Sequence, residues 1–140
     1  MRSPSGADHA VLLDRNADMP EGVCFLKYQK ICDDRGALIP MDTPDLPFLP
    51  KRVFMVEGAE GGSVRGGHAH RSARQLMCCV AGCVVVEASH NGQSVSVELV
   101  PNGEVLLIEA GVFATQAYRS PGDRLLVLSD EPFSEQSYLD

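Results

Sequence analysis

The stretch Gln75-Leu76-Met77-Cys78-Cys79-Val80-Ala81-Gly82-Cys83-Val84-Val85-Val86-Glu87-Ala88 decides the fold class of this chain. Two short apolar runs, 75–80 and 83–88, flank Ala81-Gly82, and a two-residue separator of that kind predicts a β-hairpin. Cys78 and Cys79 are neighbours, so on a strand they point to opposite faces. Toward the C-terminus the pattern continues. His90-Asn91-Gly92-Gln93 carries an Asn-Gly turn into 94–99, where Val95, Val97 and Leu99 alternate with polar residues. Turns at Pro101-Asn102-Gly103, Ala110-Gly111 and Ser120-Pro121-Gly122-Asp123 separate predicted strands over 104–109, 112–118 and 124–129. Toward the N-terminus, 23–31 reads as a strand, Asp33-Asp34-Arg35-Gly36 as a turn and 37–41 as a second strand. The prolines of 43–50 make an extended connection, 51–56 is a strand, and 58–67 reads as a glycine-rich loop. Strands at about ten-residue intervals with turns between them predict an all-β fold, a small barrel or double-sheet jelly roll. Residues 1–22 are polar and irregular and predict a flexible segment. No linker or repeat divides 23–140, which reads as a single domain, with 134–139 as a helical turn.

Composition agrees. The chain has 140 residues, 44% of them hydrophobic, which bounds it to one domain able to bury a core. Thirteen glycines and nine prolines leave few uninterrupted windows for helices and argue against a helical bundle. Twelve basic residues against 19 acidic ones give a net charge of −7, which disfavours nucleic acid and anionic membrane surfaces as partners. The apolar run 76–86 is too short for a bilayer, which needs roughly 20 residues. The start Met1-Arg2-Ser3-Pro4-Ser5-Gly6 lacks the apolar stretch of a signal peptide. The five cysteines, Cys24, Cys32, Cys78, Cys79 and Cys83, contain no CxxC pair. They read as reduced, mostly buried small hydrophobes in a cytoplasmic protein.

The chemistry gathers around Gly62-x5-His68-Ala69-His70-x4-Gln75-x6-Gly82. Histidines at i and i+2 on an extended segment point to one side, and Gln75 opens the next strand beside them. Around them Lys51, Arg52, Arg65, Arg71 and Arg74 supply five of the twelve basic residues, in a window whose acids are Glu57 and Glu60. Positive charge collected beside a pocket of an acidic protein suits a phosphate or carboxylate ligand.

This spacing resembles the first motif of the cupin superfamily, in which two His and a Glu bind a metal inside a small β-barrel. The second cupin motif is traced as Gly103-x5-Glu109-x-Gly111-x2-Ala114. Ala114 stands where the third metal His would be, Glu109 where the family has Pro, and Gln75 where it has Glu. A mononuclear site takes three or four good ligands, so neither a metal nor another cofactor is expected.

A narrower resemblance follows from Asp34-Arg35-Gly36, Leu46-Pro47-Phe48-x-x-Lys51-Arg52-Val53, Arg65-Gly66-Gly67-His68-Ala69-His70-Arg71, Gln75-x6-Gly82 and Ser134-Glu135-x-x-Tyr138. In this order they resemble the sugar 3,4-ketoisomerases, grouped with WxcM-like proteins, which act on thymidine-diphosphate-4-keto-6-deoxyglucose. The resemblance implies a metal-independent, homodimeric, cupin-type jelly roll that moves a keto group from C4 to C3 of a nucleotide-diphosphate sugar in deoxysugar and polysaccharide biosynthesis. It implies His70 or His68 as general base, the other as proton shuttle, and Arg65 on the enediolate oxygen or a phosphate. Arg52, Gly67, Arg71, Arg74, Gln75 and Tyr118 are the candidate substrate-binding residues. The chain departs from the family at Phe54 and Met55, where a Tyr is usual, at Phe113-Ala114, where Trp-His is usual, and at Gly67, where a bulky residue is usual. Two other readings stand beside the enzyme: a non-catalytic cupin module for a nucleotide sugar or other anionic sugar, and a metal-dependent cupin.

Overall fold

A computed structural model describes residues 11–12 and 18–139. Two antiparallel sheets face each other. The first runs, in spatial order, β1 (Val11–Leu12), β2 (Val23–Lys27), β10 (Glu104–Ile108), β7 (Gln75–Ala81), β12 (Arg124–Ser129) and β5 (Arg52–Glu57). The second runs β13 (Tyr138–Leu139), β6 (Ser63–His70), β11 (Phe113–Tyr118), β8 (Val84–His90) and β9 (Gln93–Leu99). A separate hairpin pairs β3 (Ile31–Asp33) with β4 (Gly36–Leu38). From β5 to β8 the chain alternates between the sheets, which makes the double-sheet jelly roll expected for a cupin.

That alternation corrects the reading of residues 75–88. β7 and β8 do not form a hairpin; they lie in opposite sheets. The Cys83 N–H donates to Asp123 Oδ1 at 2.9 Å, and a Cβ on Gly82 would lie 2.1 Å from the same oxygen. The connection therefore folds around a buried carboxylate and steps across the sandwich. Arg119 closes the knot, donating its backbone N–H at 2.7 Å, Nε at 3.1 Å and Nη2 at 2.9 Å to Asp123. These donors hold the Asp123 carboxyl well below the usual carboxylate range. The Asn-Gly signal does make a hairpin. Asn91 and Gly92 have φ of 53° and 78°, as a type I′ turn requires, and His90 pairs with Gln93 across it.

The central core lies between the sheets, with Phe25, Met77, Cys79, Val84, Val86, Leu106 and Leu125 buried there. Leu76 and Cys78 point the other way, into a second cluster on the outer face of the first sheet. Ile39, Met41, Leu46 and Phe48 cover that face, and the buried Tyr28 donates its hydroxyl to the Asp45 carbonyl at 2.7 Å. Apolar cover on both faces explains why the β7 sequence runs apolar without alternation. Each fully buried Leu or Phe contributes on the order of 1.5–3 kcal/mol by leaving water.

Other boundaries move. The stretch 23–31 divides into β2 and the start of β3, and the glycine-rich loop ends at Gly62 because β6 begins at Ser63. Within the irregular segment 1–22, Val11 and Leu12 pair with Lys27 and Leu26; the flexibility expected of 1–10 and 13–17 lies outside the described residues. The helical turn at 134–139 is a 3₁₀ turn over Glu135–Ser137 that leads into β13. No helix long and apolar enough to cross a membrane occurs among the described residues.

Candidate active site

A cavity of about 410 Å³ opens between β5 of the first sheet and β6 and β11 of the second. Buried Ile108, Val112 and Ala114, with Phe54 and Val56, supply its apolar lining. Arg52, Glu57, Arg65, His68, His70, Gln75, Gln116 and Tyr138 supply polar groups.

A backbone irregularity in β6 assembles this wall. Arg65 and His68 are three residues apart, so a regular strand would turn them to opposite faces. Instead His68 pairs with Ala114, Gly66 with Thr115 and Arg65 with Gln116, leaving Gly67 as an extra residue in a β-bulge. Ala114 and Gln116 share a face of β11, and the bulge brings His68 and Arg65 to that face. Gly66 and Gly67 have φ of 86° and 82°, values that L side chains rarely adopt. A Cβ on Gly66 would also lie 2.7 Å from the Ala114 carbonyl oxygen.

Period-two alternation then carries His70 onto the same wall. Its Nδ1 is buried without a hydrogen-bond partner. Burial first, and then neighbouring His68, push its pKa below the ordinary histidine value; Glu131 opposes this and Arg52 adds to it. The neutral imidazole is therefore favoured at neutral pH. Arg52 sits over the rings of Phe54 and Phe133, with its guanidinium carbon 4.5 and 5.1 Å from their centroids. Neither Arg52 nor Arg65 pairs with a carboxylate among the described residues.

Of the residues singled out from sequence, Arg52, Arg65, His68, His70 and Gln75 meet around the cavity. Four others do not line it. Gly67 is exposed on the bulge, and its neighbour Gly66 reaches the cavity instead. Arg71 is exposed and donates Nε to the Gln136 carbonyl at 3.1 Å. Arg74 is committed elsewhere: Nε and Nη2 donate to Glu109 at 2.7 and 3.1 Å, and Nη1 donates to the Pro47 carbonyl at 3.0 Å. It ties the covering segment to the barrel. Tyr118 is in the core, its hydroxyl buried without a partner and pushed up to about 12 by burial.

Sequence reasoning missed Gln116, Glu57 and Tyr138 as wall residues. Gln116 was legible as the same-face neighbour of Ala114, whereas Tyr138 was hidden by reading its segment as a helical turn. The donor set does not fit a metal. Ala114 faces His68 without a ligand atom, Gln75 offers a neutral amide, and no cluster of three His, Cys, Asp or Glu occurs among the described residues.

Residues 21–140 match the family described as FdtA, WxcM-like, C-terminal. The chain belongs to this family. It is 26% identical over 117 residues to the TDP-4-oxo-6-deoxy-alpha-D-glucose-3,4-oxoisomerase of Aneurinibacillus thermoaerophilus, covering 81% of this chain and 83% of that one. A double mutant of the QdtA 3,4-ketoisomerase from Thermoanaerobacterium thermosaccharolyticum, in complex with TDP, superposes with a TM-score of 0.81 at 30% identity, covering 86% of this chain and 88% of that one. A histidine-to-asparagine mutant of QdtA, in complex with TDP-4-keto-6-deoxyglucose, gives 0.80 at 28% identity, with coverage of 86% and 88%. NovW of Streptomyces spheroides, a 4-keto-6-deoxy sugar epimerase, shares the fold at 18% identity, with a TM-score of 0.76 and coverage of 98% and 75%. The cupin-type jelly roll expected from the motifs is thus the fold of the family as well.

Proposed function

We infer that this protein is a TDP-sugar 3,4-ketoisomerase of deoxysugar biosynthesis, acting on a TDP-linked 4-keto-6-deoxy sugar. The observation that carries the reading is His68 and His70 on one cavity wall with Arg65 beside them, in a chain of the WxcM-like family. The reaction needs a base for the C3 proton, a stabilised enediolate and a proton returned to C4. An imidazole kept neutral by burial suits the first step, and we assign it to His70. As C3–H breaks, its electron pair forms the double bond between C3 and C4, and the carbonyl π pair moves to O4 as negative charge. Arg65 lies on the same wall to stabilise that oxygen or to hold a phosphate. His68 relays the proton from O3 toward O4, and protonation of C4 leaves the ketone at C3. No cofactor enters this sequence, because substrate and product differ only in proton and double-bond positions. Arg52 and Gln75 are assigned to substrate binding at the wall.

The same reading includes a homodimer in the cytoplasm. All five cysteines are free thiols, as a reducing compartment would keep them. At the edge of the first sheet, β5 exposes Val53 and Met55, apolar surface that suits a second copy. Light scattering of the purified protein reads the mass directly, and a monomer at micromolar concentration overturns that part.

The function is tested by incubating the protein with TDP-4-keto-6-deoxyglucose in deuterium oxide. A 3-keto product with deuterium at C4, and deuterium at C3 of the recovered substrate, are expected. TDP-sugar binding with no exchange would instead favour a binding module, a reading supported by Ala114, which places no proton-carrying group opposite His68.

A further inference from the structure

A general base must present one nitrogen to its proton, yet nothing hydrogen-bonded fixes the imidazoles here. In most working histidines a carbonyl or carboxylate on the second ring nitrogen sets the orientation. His70 Nδ1 is buried and unpaired, and neither ring makes a hydrogen bond among the described residues. The histidine ring torsion is soft on its own. Packing must supply the constraint.

The group in place to do so is Tyr138. Its ring stacks on His68 at a centroid distance of 4.2 Å and an interplanar angle of 27°. It also meets His70 at 5.1 Å and 48°. The ring is carried by β13, whose Tyr138 and Leu139 pair with His70 and Ala69. The approach is fastened beside β6: the Arg71 N–H donates to the Ser137 carbonyl at 2.7 Å and Arg71 Nε to the Gln136 carbonyl at 3.1 Å. Ser134 Oγ accepts the Gln136 N–H at 3.2 Å and turns the chain toward the cavity. The exposed Arg71, which does not reach the cavity, thereby has a use.

We propose that Tyr138 is a positioning residue for the histidine pair, its ring face clamping the plane of His68 and walling His70, with the C-terminal strand as its mount. The proposal deepens the ketoisomerase reading and rests on it for its kinetic consequence. The phenol hydroxyl has no part in it; the ring face does the positioning. Misplacing a reacting group by an ångström can cost about a hundredfold in rate while leaving binding intact.

The experiment compares Tyr138→Phe, which keeps the ring, with Tyr138→Leu, which removes it, in the full chain. Two readouts are taken: proton shifts of the His68 ring by NMR without ligand, and C3 deuterium incorporation over a range of TDP-4-keto-6-deoxyglucose concentrations. In the leucine variant the His68 ring protons should move downfield as the ring current is lost, and kcat should fall about tenfold or more with KM little changed. The phenylalanine variant should match the wild type in both. Unshifted His68 protons and an unchanged kcat in Tyr138→Leu overturn the proposal, as does a phenylalanine variant as impaired as the leucine one. Should Tyr138→Leu lose its core methyl dispersion, Tyr138→Met takes its place as the ring-free variant, the same downfield shift and loss of kcat supporting the clamp and their absence overturning it. Wild-type protein that exchanges no C3 proton overturns the ketoisomerase reading instead, and the ring-proton comparison still tests the clamp.

Discussion

Two clusters of charged and titratable side chains flank β11, and they are built on opposite plans. Just past its C-terminal end, Asp123 is 1% exposed and accepts four donor groups from Cys83 and Arg119. Beside its N-terminal half, His70 keeps a buried nitrogen unpaired, and Arg52 and Arg65 find no carboxylate among the described residues. A satisfied buried carboxylate holds a chain crossing in place. Unsatisfied donors around a cavity are held ready for a ligand, at a cost the rest of the fold must offset. Both clusters contain arginine, so residue type does not separate them; completion of the hydrogen bonding does.

The largest effect expected from breaking this contrast is at His70. His70→Asn should lower C3 exchange about a hundred- to ten-thousandfold while TDP-sugar binding persists. Wild-type exchange should fall on acidification, because the base must be neutral, and the lowered pKa of His70 puts that fall below the ordinary histidine range. A rate that declines already near pH 7 contradicts the lowered pKa of His70, and full exchange in both His70→Asn and His68→Asn removes the histidine base from the mechanism.

Arg65 comes next. Arg65→Ala should weaken TDP binding by about 1.5–3 kcal/mol if its guanidinium meets phosphate. Arg74→Ala should leave TDP affinity unchanged and lower thermal stability, since Arg74 is tied to Glu109 and Pro47. Calorimetry on both variants compares a waiting arginine with a committed one; equal losses of affinity would abolish the distinction.

The bulge gives an effect of similar size on stability. Gly66→Ala combines positive φ with a contact against the Ala114 carbonyl and should cost about 1–3 kcal/mol. Denaturant unfolding measures this, and a neutral result would mean that β6 re-registers without the bulge.

The subtlest test concerns the closed cluster. Asp123 has a lowered pKa, so its stabilisation is present above the unfolded carboxylate value and is lost as pH falls through the folded one. Stability near neutral pH should therefore be insensitive to this group. Below about pH 4, the ordinary carboxylate range, the wild type should lose stability that Asp123→Asn never had. Parallel pH–melting curves for the two proteins would contradict this.

Sequence alone carried the features that depend on neighbours along the chain. His68 and His70 share a face because strand side chains alternate, and Asn91-Gly92 turns a hairpin because its residues accept positive φ. The all-β class follows from the spacing of glycines and prolines, and the motifs around His68 carry the family resemblance. Tertiary structure decided everything that depends on which strand lies alongside. Ala81-Gly82 carries a hairpin signal, yet β7 and β8 part to opposite sheets, because β7 finds its hydrogen-bond partners in β10 and β12 and β8 finds its own in β9 and β11. Arg65 joins the histidines only through a bulge defined by its register with β11. Arg74 is withdrawn by Glu109, and Tyr138 is recruited by pairing with β6. Local periodicity sets where a side chain points relative to its own strand; the partner strand, set by the burial of two opposed sheet faces, determines what it meets there.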